Sequence, residues 1–111
     1  MSDLSTKKPS YAPAYIIGVY PALCEVAWNH GYALALHGSL QRDLDLVAIP
    51  WVDSPKSSSE LLHALCNEFD LEPNSEPTQR PHGRLSWSIP LWWGAYVDLS
   101  IMSTKQKEVE K

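Results

Sequence analysis

The alternation of apolar and polar residues along the chain predicts two amphipathic helices. Apolar residues recur at helical spacing after Pro21, and proline suits the first turn of a helix, so we expect the first helix over about residues 21–30. The second helix is expected over roughly 58–70, because Ser57 and Glu60 have the spacing of a capping box just before an apolar stripe.

Four further segments alternate between apolar and polar residues at every second position, which is typical of strands with one buried face. These segments cover residues 32–37, 43–49, 85–91 and 96–102. The first two are separated by a Gly-Ser turn and by Leu40, Gln41 and Arg42, a connection short enough to predict an antiparallel hairpin. Prolines throughout residues 72–83 predict a loop there.

Length, charge and hydropathy narrow the class of protein. The 111 residues fit one domain, which we expect over residues 15–102, between a flexible arm at 1–14 and a flexible charged tail at 103–111. A net charge of −4 argues against extensive coating of nucleic acid but not against a nucleotide substrate, since a bound divalent cation offsets local negative charge. No apolar run reaches the roughly 20 residues of a membrane span, and no signal peptide is recognisable, which predicts a cytoplasmic protein without a membrane partner.

Three carboxylates are predicted to converge on the polar face of the sheet. Strand periodicity places Asp43 and Asp45 on one face and Leu44 on the other, and the same alternation places Asp98 away from its apolar neighbours. If the two strands are adjacent, the carboxylates cluster, and they repel one another unless a proton or a cation lies between them. Oxygen ligands of this kind suit Mg²⁺ or Mn²⁺. The alternative is that Asp43 and Asp45 are solvated residues on the open side of a half-buried sheet.

The order of these motifs resembles the signature of the nucleotidyltransferase superfamily, whose fold is shared with DNA polymerase beta. That signature is an apolar strand, a Gly-Ser turn, Asp-x-Asp on the next strand and a third acid on a later strand. The corresponding motifs here are HGS at residues 37–39, DLDL at 43–46 and YVDL at 96–99, so the resemblance covers roughly residues 21–102. With the PHGR motif at 81–84 included, the pattern is also similar to small phage-encoded proteins. The resemblance implies an α+β, nucleotidyltransferase-like fold, a mixed sheet of about four strands with two helices on one face.

The resemblance also implies roles for individual residues. Gly38 and Ser39 would hold the phosphates of a nucleoside triphosphate, because glycine allows close approach of the backbone and the serine hydroxyl donates a hydrogen bond. Asp43, Asp45 and Asp98 would bind the metal, Mg²⁺ or Mn²⁺. Asp98 would also be the catalytic carboxylate that helps to activate the acceptor hydroxyl in an in-line displacement.

Basic residues outside these motifs have two interpretations each. Arg42 and Arg84, together with Arg80 and His82, either bind the nucleotide by reading its phosphates or are solvated loop charges. His37 is more typical of a structural or rim residue than of a metal ligand, because no second His or Cys lies at the spacing of a zinc site.

The two functional hypotheses belong to different classes of protein. The first is an enzyme, a minimal metal-dependent nucleotidyltransferase that moves a nucleoside monophosphate onto a protein or RNA acceptor. The second is a non-catalytic, phage-encoded binding protein that uses this fold to engage or inhibit a host factor in the host cytoplasm. Trp92 and Trp93 either pack in the core and turn or, because adjacent side chains of an extended chain point apart, leave one ring exposed as a partner contact. The acid triad favours the enzyme, and the short connection from Ser39 to Asp43 favours the binding protein.

Overall fold

The computed structural model describes residues 10–73 and 76–103. Within these residues the chain forms three α-helices: α1 (Ala12–Gly18), α2 (Tyr20–Asn29) and α3 (Ser58–Glu68). The same residues form five strands: β1 (Tyr32–His37), β2 (Leu44–Pro50), β3 (Thr78–Arg80), β4 (Arg84–Pro90) and β5 (Tyr96–Ile101). Two 3₁₀ turns, Pro81–Gly83 and Trp92–Gly94, lead into β4 and β5. The predicted tail at 103–111 lies outside the described residues from 104 onward.

One mixed sheet carries the strands in the order β1-β2-β5-β4-β3. β2 and β5 run parallel, and the other neighbouring pairs are antiparallel. The β1–β2 hairpin confirms the prediction made from the short connection between these strands. The α+β class and the mixed sheet are also as expected. The more specific expectation, a nucleotidyltransferase-like fold, stays a prediction.

The described residues form five strands where about four were expected, and the additional strand is β3. Its residues Thr78, Gln79 and Arg80 lie within the segment 72–83 that the prolines predict to be loop. All three side chains are exposed, so the apolar alternation that identifies a strand in a sequence is missing. The segment pairs as a strand because the 3₁₀ turn Pro81–Gly83 folds it back onto β4.

The chain becomes helical earlier than its sequence pattern indicates. α1 begins at Ala12, within the range 1–14 predicted as a flexible arm, and residues 1–9 of that arm lie outside the described part of the chain. Pro13 suggests a break in the sequence, but it occupies the first turn of α1, where a backbone N–H would have no helical partner. Ala12 is fully buried, and its N–H donates a hydrogen bond to the Gln41 carbonyl at 2.9 Å. The β1–β2 turn thus fixes the start of a helix that the sequence pattern does not reveal.

The two predicted helices are both present, as α2 and α3. The capping box at the start of α3 is complete. The Glu60 N–H donates to Ser57 Oγ, and the Ser57 N–H donates to Glu60 Oε1, both at 3.1 Å. None of the helices in the described residues is long and apolar enough to cross a membrane.

The helices pack on one face of the sheet, and this apolar face holds the core. The largest fully buried side chains are Leu44 and Leu46 of β2, Leu61 of α3 and Leu99 of β5. Burying one leucine contributes about 1.5–3 kcal/mol, so slippage of either strand by one residue would expose this apolar set. The core therefore fixes the register of β2 against β5 and decides which side chains meet on the opposite face.

Candidate functional site

Four polar side chains lie in one row across the sheet face opposite the helices. His37 of β1 is the pairing partner of Asp45 of β2, Asp45 is the partner of Asp98 of β5, and Asp98 is the partner of Ser88 of β4. Paired residues of adjacent strands point to the same face, so these four side chains are neighbours. We call them the acid row.

Asp45 and Asp98 form the centre of the acid row and are close enough for their carboxyl groups to share a proton in a hydrogen bond. Burial is the main reason why the pKa of the Asp45 carboxyl is raised above its ordinary value, and the hydrogen bond and negative charge of Asp98 raise it further. His37 acts in the opposite direction on this pKa, and the charge of Asp43 adds a smaller increase. Ser88 Oγ donates to Asp98 Oδ1 at 3.1 Å, which orients the second carboxylate. The pair is therefore stabilised when a proton or a cation lies between the two groups.

The Gly-Ser turn after β1 lies directly against Asp45. Gly38 has a φ of +79°, in the left-handed region that favours glycine. A Cβ atom at this position would overlap Asp45 Oδ2 and would lie 2.9 Å from Asp45 Cγ. Ser39, the next residue, is exposed. Glycine is thus favoured by the backbone conformation, and any side chain at this position would have to displace the Asp45 carboxylate.

Asp43 lies near the acid pair but has a structural partner of its own. It immediately precedes β2, and its Oδ1 accepts a hydrogen bond from the Tyr96 N–H at 3.0 Å. This bond joins the start of β2 to the start of β5, the two parallel central strands. The structure therefore brings Asp45 and Asp98 together as neighbours, whereas Asp43 stands beside them and anchors the β5 backbone. Arg42, the preceding residue, is half-buried in the same turn.

Arg84 lies at the opposite end of the polar face from the Gly-Ser turn. It is the first residue of β4, four positions before Ser88 of the acid row, and four residues of strand span about 13 Å. Its pairing partner across the β3–β4 hairpin is Arg80. The expected nucleotide-binding set is consequently divided, with Gly38, Ser39 and Arg42 at one end and Arg84 at the other.

A concavity of about 460 Å³ extends from the acid row to the β3–β4 hairpin. Its lining includes the two arginines and three serine side chains, Ser86, Ser88 and Ser100. The sequence analysis did not select the serines as site residues. Alternation on β4 and β5 already puts each serine on the polar face, but only the pairing of β4 with β5 shows that they form one surface with Asp98.

The predicted partner contacts Trp92 and Trp93 lie in the 3₁₀ turn Trp92–Gly94. Trp92 is 42% exposed, and its carbonyl accepts a hydrogen bond from the Tyr15 hydroxyl at 2.8 Å. Its ring centroid lies 6.2 Å from the ring of Tyr15 and 6.2 Å from that of Phe69. Trp92 therefore packs against α1 and the end of α3 while keeping part of its ring exposed. The side chain of Trp93 lies outside what the structure describes.

The donor set at the acid row determines what kind of metal site it could form. Across residues 10–73 and 76–103, no group of three or more His, Cys, Asp or Glu side chains is arranged to hold a metal ion. Two adjacent carboxylates nevertheless match the usual protein share of a Mg²⁺ site, one or two carboxylates with the remaining ligands from water and substrate phosphate. Asp45 and Asp98 fit this smaller donor set, and the Asp43 carboxylate is partly occupied by the Tyr96 N–H.

The structure thus defines a small α+β protein whose mixed sheet has one apolar, helix-covered face and one polar face with an acid pair. Comparisons of the chain with protein-family models, with curated proteins and with solved structures found no match.

Proposed function

We propose that this protein is a minimal metal-dependent nucleotidyltransferase, which moves a nucleoside monophosphate from a nucleoside triphosphate onto an RNA or protein acceptor. The observation that carries the proposal is the juxtaposition of the Gly38 turn with the Asp45–Asp98 pair. A turn whose glycine brings the backbone against Asp45 lies next to two crowded carboxylates, and these are the two parts to which the nucleotidyltransferase resemblance gives the phosphates and the metal.

In this proposal Gly38 and Ser39 hold the phosphates, with Arg42 of the same turn contributing positive charge. Asp45 and Asp98 would hold Mg²⁺ or Mn²⁺, which when bound supplies a positive charge that stabilises the phosphate oxygens. Asp98 would also accept the proton of the acceptor hydroxyl. The hydroxyl oxygen then forms a bond to the α-phosphorus, the bond from the α-phosphorus to the β-phosphate bridging oxygen breaks, and pyrophosphate leaves.

The acid pair supports this role through its electrostatics. Burial and the proximity of Asp98 raise the pKa of Asp45, so two negative charges at this position are unfavourable without a counter-ion. Ser88 donates to Asp98 and fixes its orientation. Carboxyl groups whose pKa is shifted by burial and by a neighbouring charge cluster at functional sites.

Calorimetric titration of the protein with each nucleoside triphosphate, with and without millimolar Mg²⁺, tests the proposal. The parent is expected to bind a triphosphate only when Mg²⁺ is present, because the acid pair alone repels phosphate. Asp45→Asn and Asp98→Asn should each abolish the Mg²⁺-dependent binding. The matched control is Asp53→Asn, which removes one charge at an exposed position outside the acid row and should retain binding.

A parent protein that binds no nucleoside triphosphate in the presence of Mg²⁺ or Mn²⁺ would overturn the nucleotidyltransferase proposal. The second candidate is then a non-catalytic, phage-encoded binding protein that engages or inhibits a host factor. The hydrogen bond from the Tyr96 N–H to Asp43 favours this candidate, because one of the three expected metal ligands already accepts a hydrogen bond that joins β2 to β5.

A further inference from the structure

We infer that the β3–β4 hairpin is a binding site for a phosphate group of the acceptor, and that the acceptor is therefore RNA. The site consists of Arg80 and Arg84 with the hydroxyls of Ser86 and Ser100. The assignment of its ligand as an acceptor rests on the proposed function, whereas the site itself rests on the geometry of the hairpin.

The first observation is a pair of like charges placed directly opposite each other. Arg80 and Arg84 are cross-strand partners, and both line the concavity on the polar face. Like charges in such a position destabilise a hairpin. An anion bound between two guanidinium groups removes that penalty, because arginine binds phosphate oxygens through parallel N–H donors.

The second observation is that neighbouring hydroxyls hold the two guanidinium groups in place. Arg80 Nε donates to Ser86 Oγ at 2.9 Å, and Arg84 Nη1 lies 3.5 Å from Ser100 Oγ. Arg84 Nε also lies 3.5 Å from the Pro81 carbonyl. The acceptors of these bonds are neutral oxygens, so the arginine charges are positioned without being neutralised by them. Each guanidinium has five N–H donors, more than these bonds use.

The third observation is the separation of charge along the concavity. Both Asp98 and Glu76 line the concavity, and Asp98 belongs to the acid row, where it pairs with Ser88 of β4. The two arginines of the concavity lie next to the Pro81–Gly83 turn. A phosphate held at Arg84 is thus kept apart from Asp98, because four residues of β4, or about 13 Å, separate Arg84 from Ser88 of the acid row.

The position of this site distinguishes it from the phosphate-holding turn at Gly38. The acid row lies between the two, with Gly38 beyond one side of the row and Arg84 about 13 Å along β4 on the other. An RNA end carries a reactive hydroxyl close to a phosphodiester, so it can place the hydroxyl at Asp98 and the phosphate at the hairpin. A protein hydroxyl has a neighbouring anion only where an acidic or phosphorylated residue lies beside it, whereas every RNA end has a phosphodiester at a fixed distance, and the hairpin therefore favours RNA.

Fluorescence anisotropy with a short labelled oligouridylate, without Mg²⁺ or nucleoside triphosphate, tests the site in the full chain. Arg80→Gln combined with Arg84→Gln should weaken binding at least about tenfold, because two charge-assisted contacts are lost. It should also reduce the slope of log affinity against log salt by about 1.4, since each contact to a single strand contributes about 0.7. Arg80→Lys with Arg84→Lys keeps the charge and should retain the slope. Lys56→Gln, a single charge removed from a residue outside this concavity, should retain both slope and affinity.

Amide chemical shifts of the parent protein provide a second measurement that does not depend on the folding of any variant. Titration with inorganic phosphate or with the oligouridylate should shift the backbone amides of Arg84, Ser86 and Ser100. Shifts with phosphate but no binding of the oligouridylate would retain the anion site and reject RNA. Unchanged amides at these positions, or equal affinity and salt slope for parent and double glutamine variant, would overturn the site. The assay contains no metal or triphosphate, so its outcome is independent of the Mg²⁺-dependent binding that tests the proposed function.

Discussion

Strand β2 shows how differently the two faces of this sheet are used. Leu44, Leu46 and Ala48 point towards the helices and are fully buried, whereas Asp45 and Ile49 point the other way and Ile49 stays 41% exposed. The buried residues provide the hydrophobic stabilisation. The opposite face accommodates the Asp45 carboxyl, whose pKa is raised, next to the carboxylate of Asp98. The same strand thus carries stability on one face and unfavourable electrostatics on the other.

The two faces are nevertheless linked through strand register. Because side chains alternate, the apolar residues that must be buried decide where Asp45 and Asp98 lie, and a slip of either strand by one residue would turn its acid towards the core. The pairing of Leu46 with Leu99 on the core side and of Asp45 with Asp98 on the polar side belongs to one ladder. Packing on the helix side is therefore what positions the acid pair. The predictions below test how far stability and site geometry can be separated.

The largest effect is expected for Leu46→Ala, which removes a fully buried side chain from the helix side of β2. It should lower the free energy of unfolding by about 3 kcal/mol, because transfer and cavity terms add. The control on the same strand, Ile49→Ala on the polar face, should cost less than about 1 kcal/mol. Urea unfolding of both variants measures the difference. Similar costs for the two substitutions would contradict the division of β2 into a stabilising and a non-stabilising face.

A smaller loss, about 2 kcal/mol, is expected for Gly38→Ala, because a side chain there is strained by a φ of +79° and also overlaps Asp45. Gly83→Ala is the matched control: its φ is +75°, and an added Cβ meets no atom of the described residues within 4 Å. It should cost only about 1 kcal/mol. The difference between the two variants measures how closely the Gly-Ser turn approaches the acid row.

Combining Gly38→Ala with Asp45→Ala extends this test. The double variant should lose less stability than the sum of the single variants, because the carboxylate that obstructs a side chain at position 38 is gone. Additive losses would mean that the turn can move away from Asp45 at little cost, and the close approach would then not define the site.

Strand periodicity predicted the central part of this arrangement from sequence. Asp45 and Asp98 each lie between apolar residues, and that alternation is enough to place both on a polar face. What it could not give is adjacency, because β2 and β5 are separated by about fifty residues and their pairing depends on the packed core. The resemblance to the nucleotidyltransferase pattern supplied that adjacency as an expectation.

The alternation of apolar and polar residues could not predict strand β3 or the position of Arg84. Thr78, Gln79 and Arg80 are all exposed, so β3 has no apolar period in the sequence. It is recognised as a strand only from its pairing with β4 in the folded hairpin. Arg84 was expected either to bind the nucleotide together with the Gly-Ser turn or to be a solvated loop charge. The antiparallel course of β4 places it at the far end of the polar face from that turn. Residue type alone could not decide between these two ends.

The contrast between Asp43 and the acid pair leads to the next prediction. Asp43→Ala should lower the free energy of unfolding by about 1–2 kcal/mol, because the partly buried Tyr96 N–H loses its acceptor. Asp43→Asn keeps a carbonyl oxygen at that position and should restore most of the stability. Thermal melts of both variants provide the measurement. Equal losses for Asn and Ala would show that the charge of Asp43, and not its hydrogen bond, is what the fold requires.

The smallest effect, under about 1 kcal/mol, is expected for Asp45→Asn, and its size depends on pH. The pKa of Asp45 is raised in the folded protein, so between the unfolded value of about 3.9 and the folded value the native state binds more protons than the unfolded chain. The free energy of unfolding of the parent therefore decreases as pH rises through this window. Asparagine does not titrate, so the variant should be as stable as the parent near pH 3 and more stable near pH 7 in metal-free buffer.

Millimolar Mg²⁺ should then stabilise the parent and not the variant, because only the parent gains a ligand for its native state. Urea unfolding across this pH range measures the difference in free energy of unfolding between variant and parent. Asp53→Asn is the control that shows the effect of removing one negative charge elsewhere. A stability difference between Asp45→Asn and parent that is independent of pH would mean that the Asp45–Asp98 contact imposes no electrostatic cost, and the acid pair would lose its physical basis as a cation site.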